Sequence, residues 1–170
     1  MAGCKCEESI TTYGEARFNG RRKHKLDHMQ DIAYMPQHEN LETISEMTGR
    51  DFIALSIKKS ITEENRNGET DEEISNDIIK VCGLGRFVDR PLRKLSGGQR
   101  QRIRIAEVLV RRMPYTFLDE STTGLDANTA PAIIDSIKRY AKKHNLGVVV
   151  SIHQLSNSIV CAKHLTMFLL

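Results

Sequence analysis

The run Val148-Val149-Val150-Ser151-Ile152 carries β-branched residues at four of its five positions and shows no alternation of apolar with polar side chains. A strand with one wet face alternates. One that does not is covered on both faces, as inside a parallel sheet. Upstream, Ile133, Ile134, Ile137 and Ala141 share one face of a helix, and Gly147 releases the chain into the strand. Helix followed by buried strand predicts an α/β chain with a mostly parallel sheet.

Charge narrows the function classes. The 170 residues hold 25 Lys plus Arg against 22 Asp plus Glu, a formal charge of +3, which gives no electrostatic case for nucleic acid or an anionic membrane as main partner. With 39% hydrophobic and 28% charged residues the chain is globular, of a length for one domain with a core. No apolar run approaches the roughly 20 residues of a membrane-spanning helix. Cysteines at 4, 6, 82 and 161 are too few and too irregular for a disulfide framework, so a reducing, cytosolic setting is expected. Cys4 and Cys6 lack a second close Cys/His pair with zinc-site spacing. The N-terminus has no apolar stretch of the kind a secretory signal needs.

Along the chain, Glu15 to Phe18 and Asp31 to Met35 read as strands bounded by Gly14, Gly20 and Pro36. Arg21, Arg22, Lys23 and Lys25 between them read as a solvated loop. Leu41 to Lys59 has an interrupted helical rhythm, with Gly49 expected to break it. Thr70 followed three residues later by Glu73 is a capping box, so a helix is predicted from there through Ile74, Ile78 and Val81 to a stop near Gly83. Residues 41–94 are thus expected to form a helical insertion.

From Leu95 the pattern acquires chemistry. Leu95-Ser96-Gly97-Gly98-Gln99 opens a helix with an apolar stripe of Ile103, Ala106, Leu109 and Val110; Arg100, Arg104, Glu107 and Arg111 mark the opposite face. Ser96 is placed to cap it, and the paired glycines leave backbone N–H groups approachable at the positive end of the helix dipole. That is an anion site suited to phosphate; the other reading of Ser-Gly-Gly is a plain turn. Tyr115 to Leu118 is an apolar strand ending in Asp119 and Glu120, at the sheet edge where open α/β sheets bind ligands. Alternation sends the two carboxylates apart, so one can hold Mg²⁺ through water while the other orients or deprotonates an attacking water. Gly124-Leu125-Asp126 forms a turn, with Asp126 or Asn128 capping the following helix, Pro131 in its first turn and Lys142, Lys143 and His144 at its end. His153 stands at the same edge as the two acids, open to a structural role or to contact with a phosphate.

In this order the segments resemble the nucleotide-binding domain of an ABC transporter. Leu95 to Gln99 matches the LSGGQ signature unchanged; Phe117-Leu118-Asp119-Glu120 resembles the Walker B strand; Ser121 to Asp126 (STTGLD) resembles the D-loop. Ile152-His153-Gln154 resembles the switch-histidine segment, Tyr34-Met35-Pro36-Gln37 takes the place of the Q-loop, and Gly14 to Gly20 (GEARFNG) is similar to the strand and turn before it. Within the family, the Ile-His-Gln segment, Glu107-Val108-Leu109 and Thr129-Ala130 look most like the white and pleiotropic-drug-resistance branch, although that branch has Pro where this chain has Leu155. The resemblance implies a partial ABC ATPase domain over residues 1–170: early strands and Q-loop in 1–40, helical subdomain in 41–94, and signature helix, Walker B, D-loop and switch histidine in 95–170.

It also implies roles. Two such domains would meet head to tail, with Ser96, Gly97, Gly98 and Gln99 at the nucleotide of the partner and Asp126 linking the two sites. Gln37 would help coordinate Mg²⁺, Asp119 would hold that metal through water, Glu120 would be the general base, and His153 would steady the γ-phosphate of ATP. The implied partners are that second domain and a transmembrane domain in the same or another chain, at the cytoplasmic face of a membrane, with no nucleic acid. No segment reads Gly-x-x-x-x-Gly-Lys-Ser/Thr; Gly3-Cys4-Lys5-Cys6 lacks the second glycine and the hydroxyl. The chain is therefore expected to begin beyond the Walker A P-loop and to stop inside an apolar run, Leu165 to Leu170. Alone it should bind ATP weakly, hydrolyse none and be poorly soluble. The alternatives are a regulatory half without a P-loop that completes a partner's ATP site in trans, and a soluble ABC ATPase outside transport.

Overall fold

The computed structural model describes residues 17–18, 21–22, 32–36, 46–60, 66–119, 121–122, 124–126, 128–152 and 165–169, and the chain divides after Gln30 into two units. In the first unit, β1 (Arg17–Phe18) runs antiparallel to β2 (Arg21–Arg22), with Arg17 opposite Arg22. The basic pair read as loop is thus a strand: backbone pairing of Arg21 with Phe18 and of Arg22 with Arg17 overrides charge composition.

The second unit is built on four parallel strands in the order β3 (Ile32–Met35), β4 (Tyr115–Leu118), β5 (Gly147–Ile152) and β6 (Leu165–Leu169). Between β3 and β4 lie three α-helices: α1 (Gly49–Ser60), α2 (Asp71–Val81) and α3 (Gly97–Leu109), the last preceded by a 3₁₀ turn at Leu92–Lys94. The helix α4 (Thr129–His144) leads from β4 to β5. α3 packs on β3 and β4, α4 packs on β5, and α1 and α2 pack on each other and on α3. One apolar core joins Ala33, Met35, Leu118, Val148 and Val150 of the sheet to Ile103, Ile105 and Leu109 of α3 and Ile133 and Ile137 of α4. It continues into Ile53, Ile57, Ile74 and Ile78 of the first two helices. On the other sheet face Val149 is only partly covered, so β5 is more one-sided than its sequence implies.

Local signals set the helix boundaries. Thr70 accepts from the Glu73 amide at 3.3 Å while the Glu73 carboxylate accepts from the Thr70 amide at 2.8 Å, the predicted reciprocal cap. At the far end of α4, Asn145 takes a left-handed conformation (φ 54°) and the Leu146 amide returns to the Ala141 carbonyl at 2.9 Å, closing the helix before Gly147.

Two expectations are corrected. Gly49 begins α1 rather than breaking it; a Cβ there would stand 2.1 Å from Ile103 Cδ1 and 3.1 Å from the Val88 carbonyl, so the glycine serves close helix packing. Arg104 and Glu107 are buried, not on an outer face, because α1 and β3 cover that flank of α3. Ser56 on α1 donates to Glu107 Oε1 at 2.7 Å, and Arg111 one turn on pairs with the same oxygen, satisfying the buried carboxylate.

Candidate functional site

Register brings the ends of three strands together. Met35 stands opposite Leu118, and Leu118 opposite Val150, so residues 36 and 119 leave the carboxyl ends of β3 and β4 level with Ser151, which is still within β5. The Asp119 amide donates to the Met35 carbonyl at 3.0 Å, extending the β3–β4 ladder by one bond. Its carboxylate is held from both sides: the Ser151 hydroxyl donates to Oδ1 at 2.5 Å and the Tyr34 hydroxyl to Oδ2 at 3.3 Å. Burial, then the charge of Asp119 and its hydrogen bond, push the Tyr34 phenol above its usual pKa. Neither partner was foreseen, yet alternation carried a signal. Tyr34 is the 54%-exposed position of β3, between buried Ala33 and Met35, and so lies on the same sheet face as Asp119.

Mg²⁺ is commonly held by one or two carboxylates, with water and substrate phosphates completing its shell. A single oriented carboxylate at a sheet edge fits that donor set, since each oxygen retains a lone pair beyond its hydroxyl bond. No cluster of three or more His, Cys, Asp or Glu side chains stands together among the described residues.

The N-terminus of α3 is the second half of the site. Ser96 sits in extended backbone and accepts from the Gln99 amide at 3.3 Å, while Gln99 Oε1 accepts from the Ser96 amide at 3.0 Å. Ser96 caps the helix as predicted, and the Gln99 side chain turns back to complete the box. The two glycines differ. A Cβ on Gly97 meets nothing within 4 Å, whereas one on Gly98 would stand 2.7 Å from the Gly124 carbonyl oxygen. Gly98 is a glycine so that the Gly124 turn can lie against the helix end; no described neighbour imposes that on Gly97.

That turn ends at Asp126, whose carboxylate accepts from the Thr129 amide at 2.9 Å and the Asn128 amide at 3.2 Å. Of the two predicted caps, Asp126 provides the side-chain bonds; Asn128 makes none. Hydrogen bonds, from the Thr129 side chain first and then from its amide, hold the exposed Asp126 carboxyl below the usual carboxylate range. Segment 121–126 thus ties the helix end to the sheet edge, for Gln101 on α3 donates to the Ser121 carbonyl at 3.1 Å. Gln37, Glu120 and His153 lie outside the described residues.

The sequence pattern described as ABC transporter matches residues 5–123. This chain belongs to that family. Among its relatives are a zinc transport system ATP-binding protein, TroB, of Treponema pallidum, 33% identical over 74% of this chain and 46% of that one. A probable metal transport system ATP-binding protein of Chlamydia trachomatis is 31% identical over 85% of this chain and 54% of that one. The chain spans about half the length of these curated relatives. A solved structure, the dimeric post-hydrolysis state of the ATP-binding cassette MJ0796 bound to ADP and Pi, superposes with a TM-score of 0.64. It is 26% identical, covering 84% of this chain and 64% of that one. The α/β architecture with a mostly parallel sheet is the one expected, and the chain is ATP-binding-domain sequence of an ABC transporter.

The branch expectation is corrected: these relatives are ATP-binding proteins of zinc and metal transport, not of the white and pleiotropic-drug-resistance branch. The features that suggested it were three short matches, and one of them, Glu107-Val108-Leu109, lies on buried positions of the signature helix, where packing on α1 and the sheet restricts the side chains whatever the branch. Among the described residues no helix is long and apolar enough to cross a membrane.

Proposed function

We propose that this chain is the signature-bearing part of an ATP-binding subunit that powers movement of a divalent metal ion across a membrane, working from the cytoplasmic face against a transmembrane partner. The metal cargo rests on the printed names of the zinc and metal transport relatives. The observation that carries the catalytic reading is the contrast at the signature: Gly98 answers to its own chain, while Gly97 leaves open space at a helix N-terminus. Bare amides there suit the γ-phosphate of ATP held by a second domain, met head to tail.

In this reading Ser96 and Gly97 face the partner's nucleotide, and Asp126 stands beside them on the turn that bridges the two sites. At the chain's own nucleotide, Asp119 and Gln37 hold Mg²⁺, which neutralises phosphate charge. Glu120 accepts the proton of the attacking water and His153 steadies the γ-phosphate. Tyr34 and Ser151 fix the rotamer of Asp119. The sequence holds no Gly-x-x-x-x-Gly-Lys-Ser/Thr, so the phosphate cradle comes from outside residues 1–170 and the chain alone does not turn over ATP. The same fact supports a second reading, a half without a P-loop that completes a partner's site in trans.

The test is Glu120→Gln in the complete ATP-binding protein. ATP-driven dimerisation should persist while hydrolysis falls by about 10²–10⁴, the usual range for a lost general base. Undiminished turnover at this chain's own site removes Glu120 from that role; hydrolysis that persists undiminished at the partner's site, with none at this chain's own even before the substitution, favours the second reading.

A further inference from the structure

Two polar side chains on the buried flank of α3 have no part in the chemistry above. Arg104 is 6% exposed and Gln101 9%, and they lie one turn apart on the same helix face. Arg104 Nη1 donates to Gln101 Oε1 at 3.3 Å, and Nη2 donates to the Pro36 carbonyl at 2.6 Å. Gln101 in turn donates through Nε2 to the Ser121 carbonyl at 3.1 Å. A continuous polar line therefore runs from Pro36 through Arg104 and Gln101 to Ser121. Its two ends are telling: Pro36 immediately precedes Gln37, and Ser121 immediately follows Glu120.

A guanidinium is costly to bury, and the neighbouring positions of α3 show what the core alone would select: Ile103, Ile105 and Leu109 are fully buried and apolar. An arginine in that company is retained for where its donors go. Pro36 directly follows β3 and Ser121 lies three residues beyond β4, so hydrogen bonds to their main-chain carbonyls constrain the two segments that leave the sheet.

We propose that Arg104 and Gln101 are positioning residues: they fix the backbone beside Gln37 and Glu120 to the helix whose first turn presents Ser96 and Gly97. The proposal deepens the function argued above and rests on its assignment of Gln37 and Glu120 to the chain's own nucleotide. Ser96 precedes Gln101 by five residues and Arg104 by eight, about 7.5 and 12 Å along the helix axis at 1.5 Å per residue. A rigid helix of that length moves as one piece. When the partner's nucleotide draws on the signature end, the strut carries the displacement to the two segments that serve the other nucleotide, giving the dimer a mechanical link between its sites within each chain.

Hydrogen exchange provides a test that needs no hydrolysis. In the 170-residue chain, Arg104→Met keeps the volume and removes the donors. The Asp119 amide, bonded to the Met35 carbonyl beside Pro36, is the reporter; its exchange should quicken about tenfold, the scale of a lost bond from a charged donor. Amides of Ile74 and Ile78 in α2 should stay within about twofold, and Arg104→Lys, which keeps a donor for Pro36, should recover most of the protection. Equal acceleration everywhere, or no recovery with lysine, overturns the proposal. In the complete ATP-binding protein, Arg104→Met should lower kcat about tenfold with KM changed less than twofold. A change confined to KM overturns it too. If the unaltered complete protein fails to hydrolyse ATP, the proposed function falls, and the exchange result still decides the strut.

Discussion

The two signature glycines allow the same chemical change, one methyl group, to be made at adjacent residues with opposite consequences. At Gly98 the new Cβ would lie 2.7 Å from the Gly124 carbonyl oxygen, against about 3.3 Å for an ordinary carbon–oxygen contact, so the turn must retreat by about 0.6 Å. Overpacking of this kind costs about 1–3 kcal/mol, while a more restricted unfolded chain returns about 0.4–1 kcal/mol. Gly98→Ala is therefore expected to be destabilising on balance. At Gly97 the Cβ meets nothing within 4 Å and the backbone is not left-handed, so only the unfolded-chain gain remains. The pair should differ by about 1–3 kcal/mol. At about 2–4 °C per kcal/mol for a domain of this size, their melting temperatures separate by roughly 2–12 °C, Gly97→Ala the higher. Thermal melts confirmed by urea midpoints at equal m-values measure this directly. Coincident or inverted melting would refute the argument that Gly98 is fixed by its own chain. In the complete protein Gly97→Ala should keep this stability yet lose ATP-driven dimerisation.

Other expectations concern regions outside the site. Thr70→Ala removes the hydroxyl that accepts from the Glu73 amide and should cost about 1 kcal/mol, read as a melting point lower by about 2–4 °C with nucleotide behaviour unchanged. His144 is packed against Tyr140 and beside Asp77; burial first, then the charges of Arg112 and Lys143, lower its pKa. The unfolded chain thus binds more protons in the window just below the free histidine value, so stability should fall as pH drops through about 6.5. His144→Gln should flatten that slope in urea melts between pH 7.5 and 5, and an unchanged slope would assign it to other groups.

What could be seen in the sequence divides by range. The Thr70–Glu73 cap and the Ser96 cap depend on residues three apart, and both are present. The same local rule, Ser followed three residues on by Gln, announced that Gln99 would close its own box rather than remain free, a signal that the match to the signature overshadowed. Arg104 and Glu107 show the limit of periodicity. Charge alone assigned them to solvent, and only the packing of α1 and β3 on that flank, with Ser56, Gln101 and Pro36 as partners, reveals them as interior. Gly49 failed for a related reason: glycine was weighed as a helix breaker, whereas the tertiary contact with Ile103 requires it at a first-turn position where its propensity cost is small. The Asp119 clamp draws on Tyr34 and Ser151, 85 and 32 residues away, so it emerges only from strand register.

Because all four strands of the larger unit run the same way, its sheet has two unlike rims. The starting ends of β4 and β5, near exposed Pro114 and Asn145, stand at the rim away from Asp119, and the four residues of β4 put roughly 13 Å between them and that carboxylate. A fluorophore or surface tether placed on this quiet side leaves the working side unobstructed, which gives single-molecule or immobilised measurements a natural handle.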